Sequence, residues 1–137
     1  MLGGDVWWVN GLGIVTALRP REVVRLDGEV IAIIYRNLGA ATAEQMVARA
    51  LGELALAMAG LAAQVNSQDL SDLARQLTKL RRMAENVGLE SLGTVAEDAR
   101  ICLHRADSTA FSAVWARLIR VAEKSLAPDR RAADLSV

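Results

Sequence analysis

The fold is decided by the stretch from residue 70 to residue 89, which reads LSDLARQLTKLRRMAENVGL. Apolar residues recur in it at steps of three and four, the spacing that places side chains on one face of an α-helix. The residues expected to point inward are Leu70, Leu73, Leu77, Leu80, Ala84 and Val87. Residues typical of helix N-caps cluster over 67–69, and Gly88 is typical of a helix end. The stretch therefore predicts an amphipathic helix from near Ser67 to Asp69 as far as Gly88.

The opposite face of this predicted helix is basic. Arg75, Lys79, Arg81 and Arg82 all lie within one helical turn of Thr78. A charged helix face is often no more than a solvated surface. The residues alone therefore leave two interpretations open, a solvated face and a site that binds an acidic partner.

The stretch from Leu77 to Leu89 resembles the signature helix of the histidine-containing phosphotransfer (HPt) domain. That family's pattern is His-x-Leu-Lys-Gly, with a small residue two positions later and a Gly-Leu or Gly-Ala pair beyond it. We align the two on Gly88. The family's Leu, Lys, small residue and final residue then correspond to Leu80, Arg81, Ala84 and Leu89. The likeness extends to the order of helices and turns from about Asp27 to Leu126.

Two departures from the family pattern bear on function. Thr78 occupies the position of the phosphorylated histidine, and an unassisted hydroxyl is a weak nucleophile that forms a far less labile ester. Arg82 occupies the position of a glycine whose missing side chain lets a response regulator approach. The resemblance therefore implies a retained scaffold with altered recognition.

Two helices are predicted before this stretch. The first runs from Val23 to a C-terminal cap at Gly39, with a weak point at Asp27-Gly28. The second has Thr42 as its N-cap candidate, because a glutamine follows at capping-box spacing. Its apolar seam consists of Val47, Leu51, Leu54, Met58, Leu61 and Val65. Flanking alanines predict contacts with neighbours on two sides, and they are Ala48, Ala55, Ala59, Ala62 and Ala63.

Two further helices are predicted after the stretch. The fourth spans about Glu90 to Arg105, with Leu92, Val95, Ala96, Ala99 and Leu103 inward and with Glu97, Asp98 and Arg100 outward. The fifth carries Phe111, Val114, Trp115, Leu118, Val121 or Ala122 and Leu126, and Pro128 stops it. Short links favour antiparallel neighbours, so we expect an all-α fold, an antiparallel up-and-down four-helix bundle of HPt type with an additional N-terminal segment.

The N-terminal segment has a composition of its own. Asn10-Gly11 between two apolar runs predicts a short β-hairpin, and an irregular arm packed on the bundle is the equal alternative. Trp7 and Trp8 need a surface to cover, which is either the open end of the bundle or an interface. The expected organisation is an N-terminal arm or hairpin over 1–22, an HPt-like helical bundle over 23–127 and a polar tail over 128–137.

Composition argues against several classes of function. The 137 residues carry 16 basic and 16 acidic side chains, so no overall field favours nucleic acid or an anionic membrane. Cys102 and His104 are the single cysteine and histidine, which argues against a disulfide framework and a four-ligand zinc site. The apolar start is shorter than the roughly 20 residues of a transmembrane helix. We expect a cytoplasmic protein without metal or cofactor, and no catalytic motif predicts an enzyme.

The resemblance implies a non-catalytic signalling adaptor that binds a receiver domain or a histidine kinase of a two-component system without carrying phosphate. The expected partner-binding residues are Arg75, Thr78, Lys79, Arg81 and Arg82, because receiver domains have an acidic active pocket. Two alternatives remain open. One is an active phosphotransfer protein that uses His104, whose place in a last helical turn equally suits a helix-dipole role. The other is a structural bundle that dimerises through the first two helices.

Overall fold

The computed structural model describes residues 23–127 and, for the backbone alone, two strands nearer the N-terminus. The strands are β1 (Val6–Asn10) and β2 (Gly13–Thr16). The helices are α1 (Gly28–Leu38), α2 (Ala40–Asn66), α3 (Leu73–Asn86), α4 (Glu90–His104) and α5 (Ser108–Ser125). Apart from the two strands, the described part of the chain is all-α, as predicted.

The backbone of β1 and β2 pairs in the antiparallel sense, which matches the hairpin interpretation of this segment. Asn10 lies opposite Gly13 in this pairing. Gly11, the second residue of the predicted Asn10-Gly11 turn, lies outside the described residues.

Helix α1 begins five residues later than the predicted start at Val23. The carboxylate of Asp27 accepts hydrogen bonds from the backbone N–H groups of Glu29 and Val30, at 3.1 and 3.3 Å. Such an N-cap satisfies amide groups that the first turn of a helix leaves unpaired. The weak point predicted at Asp27-Gly28 is therefore the start of the helix.

The link between α1 and α2 is a single glycine, and this overturns the predicted N-cap at Thr42. Gly39 has a φ of 79°, and its N–H donates to the carbonyl of Tyr35 at 2.9 Å. Its own carbonyl accepts from Ala43 at 2.9 Å, so Gly39 ends one helix and caps the next. Because the chain turns within one residue, α2 starts at Ala40 and Thr42 lies inside its first turn.

Helix α3 begins at Leu73, later than predicted, because the chain makes a tight turn after α2. Gln68 has a φ of 58°, and the N–H of Asp69 donates back to Gln64 at 2.9 Å. The turn leaves Leu70 outside the helix with half of its surface exposed, so the prediction that Leu70 points inward is wrong.

The predicted helix end at Gly88 is confirmed, and the geometry shows why glycine is needed there. Gly88 has a φ of 76°, and the N–H of Leu89 reaches back to the carbonyl of Ala84 at 2.9 Å. This is the Schellman arrangement of a helix C-terminus. A Cβ on Gly88 would also lie 2.9 Å from the carbonyl oxygen of Asp27, which approaches from the start of α1. Gly88 thus ends α3 and also lets the start of α1 approach this end of the helix closely.

One hydrophobic core joins α2, α3, α4 and α5. Fully buried leucines dominate it, namely Leu54, Leu73, Leu77, Leu80, Leu89, Leu92 and Leu118. The seams predicted for α2, α3 and α4 are largely confirmed, with Val65 and Leu103 only partly buried. Helix α1 contributes no buried residue, although Ile31, Ile33 and Ile34 lie on it.

The alanines that flank the seam of α2 are mostly at the surface: Ala48, Ala55, Ala59 and Ala63 are exposed and Ala62 is half-buried. Ala55 and Ala59 border a groove that Ile119 and Glu123 of α5 also line, so this flank of α2 faces α5. Leu56 on the same helix is 76% exposed. By length and composition α2 is able to cross a membrane, a property that core helices of water-soluble proteins share. Its buried leucines in the core are compatible with a soluble domain.

Candidate functional site on the third helix

Helix α3 separates an apolar side from a charged side. Leu73, Leu77, Leu80 and Ala84 are its buried residues, at steps of four, three and four. Arg75, Lys79 and Arg82 follow the same steps on the other side, and all three are exposed. We call these three residues the basic row. Thr78 and Arg81 lie between the basic row and the core, and both are half-buried.

Thr78 is bound to its own helix. Its Oγ1 donates to the carbonyl of Ala74 at 3.2 Å, one turn earlier. This bond is common for threonine in a helix interior and leaves the hydroxyl without a general base. Among the described residues, no His, Asp or Glu side chain forms a hydrogen bond with it. Within residues 23–127, the hydroxyl therefore has no hydrogen-bonded group that would remove its proton.

Arg75 is held by an acidic residue that the sequence interpretation did not include in the site. Its Nε and Nη2 donate to Asp72 Oδ1 and Oδ2 at 2.9 and 3.0 Å, and Gln76 donates to Oδ2 at 2.9 Å. The hydrogen bond from Arg75 lowers the pKa of Asp72, and the same bond raises the pKa of Arg75. The Arg75 side chain remains 80% exposed, and Asp72 offsets its positive charge.

Arg81 belongs to a charge cluster between α3 and α4. Its Nη1 lies 3.1 Å from Glu97 Oε1, and its Nε lies 3.4 Å from Glu85 Oε2. The Nε–H is buried and has no hydrogen-bond partner, because the contact with Glu85 lacks the required geometry. The side chain is therefore committed to α4 instead of extending towards a partner. Of the five predicted binding residues, Arg81 is the one with an ion pair to another helix within the described residues.

Glu97 is the centre of that cluster, whereas the sequence predicted that it points outward. Arg100 holds it with two hydrogen bonds, Nε to Oε1 at 2.9 Å and Nη2 to Oε2 at 2.7 Å. These bonds, together with Arg81, lower the pKa of Glu97 to about 2. The carboxylate is only 25% exposed and binds two arginines at once.

Close approach of the two helices makes the cluster possible. A Cβ on Gly93 of α4 would lie 3.2 Å from Cγ of Glu85 and 3.6 Å from the carbonyl oxygen of Arg81. Glycine at this position lets α4 contact α3 at the level where Arg81 reaches across. The sequence interpretation did not identify this role of Gly93.

Lys79 and Arg82 remain available at the surface. Both are exposed, and neither has an ion pair with another of the described residues. With Arg75 offset by Asp72, the uncompensated charge of the basic row lies on these two side chains. Of the five residues predicted to bind a partner, Arg75, Lys79 and Arg82 are thus exposed, and Thr78 and Arg81 are half-buried.

A separate groove of about 460 Å³ lies between the start of α3, the end of α4 and the start of α5. Its walls are mostly apolar and include Leu70, Leu103 and Phe111. Cys102 and His104 also line it, and His104 is the exposed last residue of α4. The groove extends along α3 as far as Ala74, one turn before Thr78.

No group of three or more His, Cys, Asp or Glu side chains that could hold a metal ion occurs within residues 23–127. The chain was also compared with protein-family models, with curated protein sequences and with solved structures, and none of the three comparisons gave a match.

Proposed function

We propose that this chain is a non-catalytic, HPt-like signalling adaptor that binds a receiver domain or a histidine kinase without carrying phosphate. One observation carries the proposal: the exposed Arg75, Lys79 and Arg82 flank a threonine at the position where the HPt pattern has its phosphorylated histidine. The basic row would be the docking surface, and Thr78 would lie at its edge.

The proposal includes an antiparallel four-helix bundle of HPt type made by α2 to α5. Leu70, just before α3, and Ala74, in its first turn, line one groove with Leu103 near the end of α4. Glu85, near the end of α3, lies against Gly93 near the start of α4. The start of α3 thus lies near the end of α4, and the end of α3 lies near the start of α4. These contacts support an antiparallel arrangement of the two helices. The short links between successive helices favour the same arrangement for the others.

The absence of phosphate transfer follows from the surroundings of Thr78. Its hydroxyl donates to the carbonyl of Ala74, and no basic side chain is hydrogen-bonded to it among the described residues. A hydroxyl without an activating base is a poor nucleophile, and a threonine phosphoester would not return its phosphate readily. The site is therefore suited to binding and not to relay.

Charge and shape favour an acidic partner surface. The basic row would complement the acidic pocket of a receiver domain, and such complementarity mainly speeds encounter and selects the partner. Arg82 replaces a glycine of the HPt pattern and is exposed. A partner surface with a carboxylate opposite Arg82 would bind, whereas a partner without one would be excluded by the size of the arginine side chain. Recognition would thus differ from that of an ordinary phosphotransfer domain.

Titration calorimetry against a set of receiver domains tests this docking surface. We expect the double variant Lys79→Glu, Arg82→Glu to weaken binding of the partner by about tenfold or more, since it reverses the two uncompensated charges. Wild-type binding should also weaken as salt rises, because exposed charges are screened at a Debye length of about 8 Å near physiological ionic strength.

Arg36→Glu serves as the matched control, since Arg36 is exposed on α1 and lies outside the basic row. It should leave the affinity unchanged. Equal binding by wild type and by the Lys79, Arg82 double variant would show that the docking surface lies elsewhere.

Phosphotransfer through His104 is the alternative that one observation favours, because His104 is exposed and borders the groove. Incubation with phosphorylated receivers or kinases distinguishes the two functions. The adaptor proposal expects no acid-labile label on the wild type. Label that appears and then disappears in His104→Ala would replace the proposed function with an active relay.

The proposed location is the cytoplasm. A single cysteine, Cys102, suits a reducing compartment, since it cannot form a disulfide within the chain. Localisation of a fluorescent fusion would test the assignment, and a membrane or periplasmic signal would contradict it.

A further inference from the structure

Helix α2 carries a second seam on the side away from the core. Thr42, Met46, Arg49, Glu53, Leu56 and Gly60 recur at alternating steps of four and three, and all six are exposed. This spacing is that of the a and d positions of a coiled coil. We call these six residues the outer seam. Met46 and Leu56 are the large apolar side chains in it, 39% and 76% exposed.

The outer seam is symmetric about Leu51, which itself points into the core. Arg49 and Glu53 lie two positions before and after residue 51, and Met46 and Leu56 lie five positions before and after it. If a second α2 crosses antiparallel at this level, each residue meets its counterpart of the other copy. Arg49 of each copy then faces Glu53 of the other, and Met46 of each copy faces Leu56 of the other. The two-fold axis makes each of these contacts occur twice.

The charges of the outer seam are not used within the chain as far as it is described. No ion pair joins Arg49 or Glu53 to each other or to another residue of the described part. Arginine four residues before glutamate is also the weaker order for a pair within one helix. A reciprocal pairing between two copies would satisfy both charges.

Small residues beside the seam permit close approach. A Cβ on Gly52 or Gly60 would meet nothing within 4 Å, so the space above both positions is open. Between Leu54 and Asn66 the helix has no charged residue at all. From Leu54 to Ala63, α2 therefore has only apolar and small side chains around Leu56.

From this symmetry we propose that the chain self-associates as a two-fold dimer through antiparallel pairing of the outer seams of α2. The occupant of the exposed face of α2 is a second copy of the same helix. The basic row of α3 takes no part in this contact, so failure of the dimer would leave the proposed function standing, and the reverse also holds.

The size of the seam sets the expected strength. A helix of 27 residues is roughly 40 Å long and presents a face of roughly 400 Å², about half of the 800 Å² per partner of a standard stable interface. The dimer should therefore be reversible, with a dissociation constant on the order of 10–100 µM.

Charge reversal across the seam tests the pairing. Analytical ultracentrifugation of the full chain over a concentration series measures the dissociation constant of wild type, of Arg49→Glu and of Glu53→Arg. Each single variant places like charges opposite each other at both symmetric contacts. We expect each to raise the dissociation constant by about tenfold, whereas the variant carrying both reversals should dimerise like wild type.

Mixing the two single variants gives the sharpest result. A heterodimer of Arg49→Glu with Glu53→Arg has opposite charges at both contacts, so the mixture should associate where neither variant does alone. This recovery also shows that both variants are folded. Glu44→Arg is the matched control, since Glu44 is exposed on the same helix but lies off the seam, and it should dimerise as wild type does.

Three outcomes would overturn the proposal. One is a wild type that stays monomeric at about 500 µM, which would mean that a bilayer, another protein or another part of the same chain covers the seam. Another is a dimer with unchanged affinity in both single variants. The third is a mixture of the single variants that does not recover association.

Discussion

Helices α2 and α3 both bury a leucine seam in the same core, but their outward sides differ. On α3 the outward side is charged, and its half-buried arginine is bound to α4. On α2 the outward side carries Arg49 and Glu53 among apolar and small residues, and Leu56 is 76% exposed within the described part of the chain. The comparison shows that burial of one face does not indicate what the other face is for. We propose an acidic partner for the outward side of α3 and a second copy of the same helix for that of α2.

Truncation of a leucine on each helix should give the largest contrast in stability. Leu77 of α3 is completely buried, so Leu77→Ala should reduce the free energy of unfolding by about 2–5 kcal/mol through lost burial and the cavity left behind. Leu56→Ala on α2 should change it by less than about 0.5 kcal/mol in the monomer. Urea unfolding at low protein concentration measures both. Similar losses would mean that the exposed face of α2 is covered within one chain.

Alanine at two glycines should have effects of opposite sign. Gly88→Ala at the end of α3 should cost about 1–3 kcal/mol, because φ is positive there and a Cβ would meet Asp27. Gly60→Ala on α2 should increase stability by about 0.5–1 kcal/mol, because a helix interior favours alanine and the space is open. Thermal unfolding of both variants decides it. Destabilisation by Gly60→Ala would point to a close neighbour at that position.

Acid should weaken the packing of α3 on α4 through Glu97. The pKa of Glu97 is lowered from 4.5 to about 2, chiefly by Arg100 and then by Arg81, so the folded state binds its proton less readily than the unfolded state. The stabilisation is complete above about pH 4.5 and is lost as the pH falls towards 2. With the side chain 25% exposed, we expect about 1 kcal/mol after solvent screening. The free energy of unfolding, measured by urea denaturation between pH 6 and pH 3, should therefore fall by about 1 kcal/mol less in Glu97→Gln than in the wild type.

Alanine variants of the adjacent Arg81 and Arg82 should affect different properties, one the stability of the fold and the other the binding of a partner. Their effects on stability should be the smallest of those predicted. Arg81→Ala removes a contact with Glu97 and should lower the free energy of unfolding by about 0.5–1 kcal/mol. Arg82→Ala should change it by less than about 0.5 kcal/mol, since Arg82 is exposed, yet it should weaken partner binding. Chemical unfolding and calorimetry on the same samples give both values. If the binding loss came from Arg81 alone, the basic row would have to be redefined.

Much of the helical pattern could be predicted because periodic burial depends on local spacing. The seam residues Leu51, Leu54 and Leu77 are buried where the steps of three and four placed them. Helix starts were predicted less well, since a cap depends on which of several polar residues the chain selects. Asp27 caps α1, which was expected to start at Val23, and Gly39 caps α2, for which Thr42 was the expected cap.

The candidate site was predicted in outline but not in its internal pairing. Asp72 three residues before Arg75, and Glu97 three residues before Arg100, have a spacing that indicates ion pairs and could have been recognised in the sequence. The bridge from Arg81 to Glu97 could not, because it joins two helices. Its existence depends on the close approach of α4 at Gly93.

By itself the sequence determined the helical class, the residues of the core and the helix end at Gly88, because spacing and backbone preference are properties of neighbouring residues. Tertiary structure alone decided which charges are available. Arg81 and Arg82 are adjacent in the chain, yet one is bound between helices and the other is exposed, because the direction in which α4 packs gives an acidic partner to only one of them. The exposure of α2 was decided in the same way, since an apolar flank is covered only where another element lies against it.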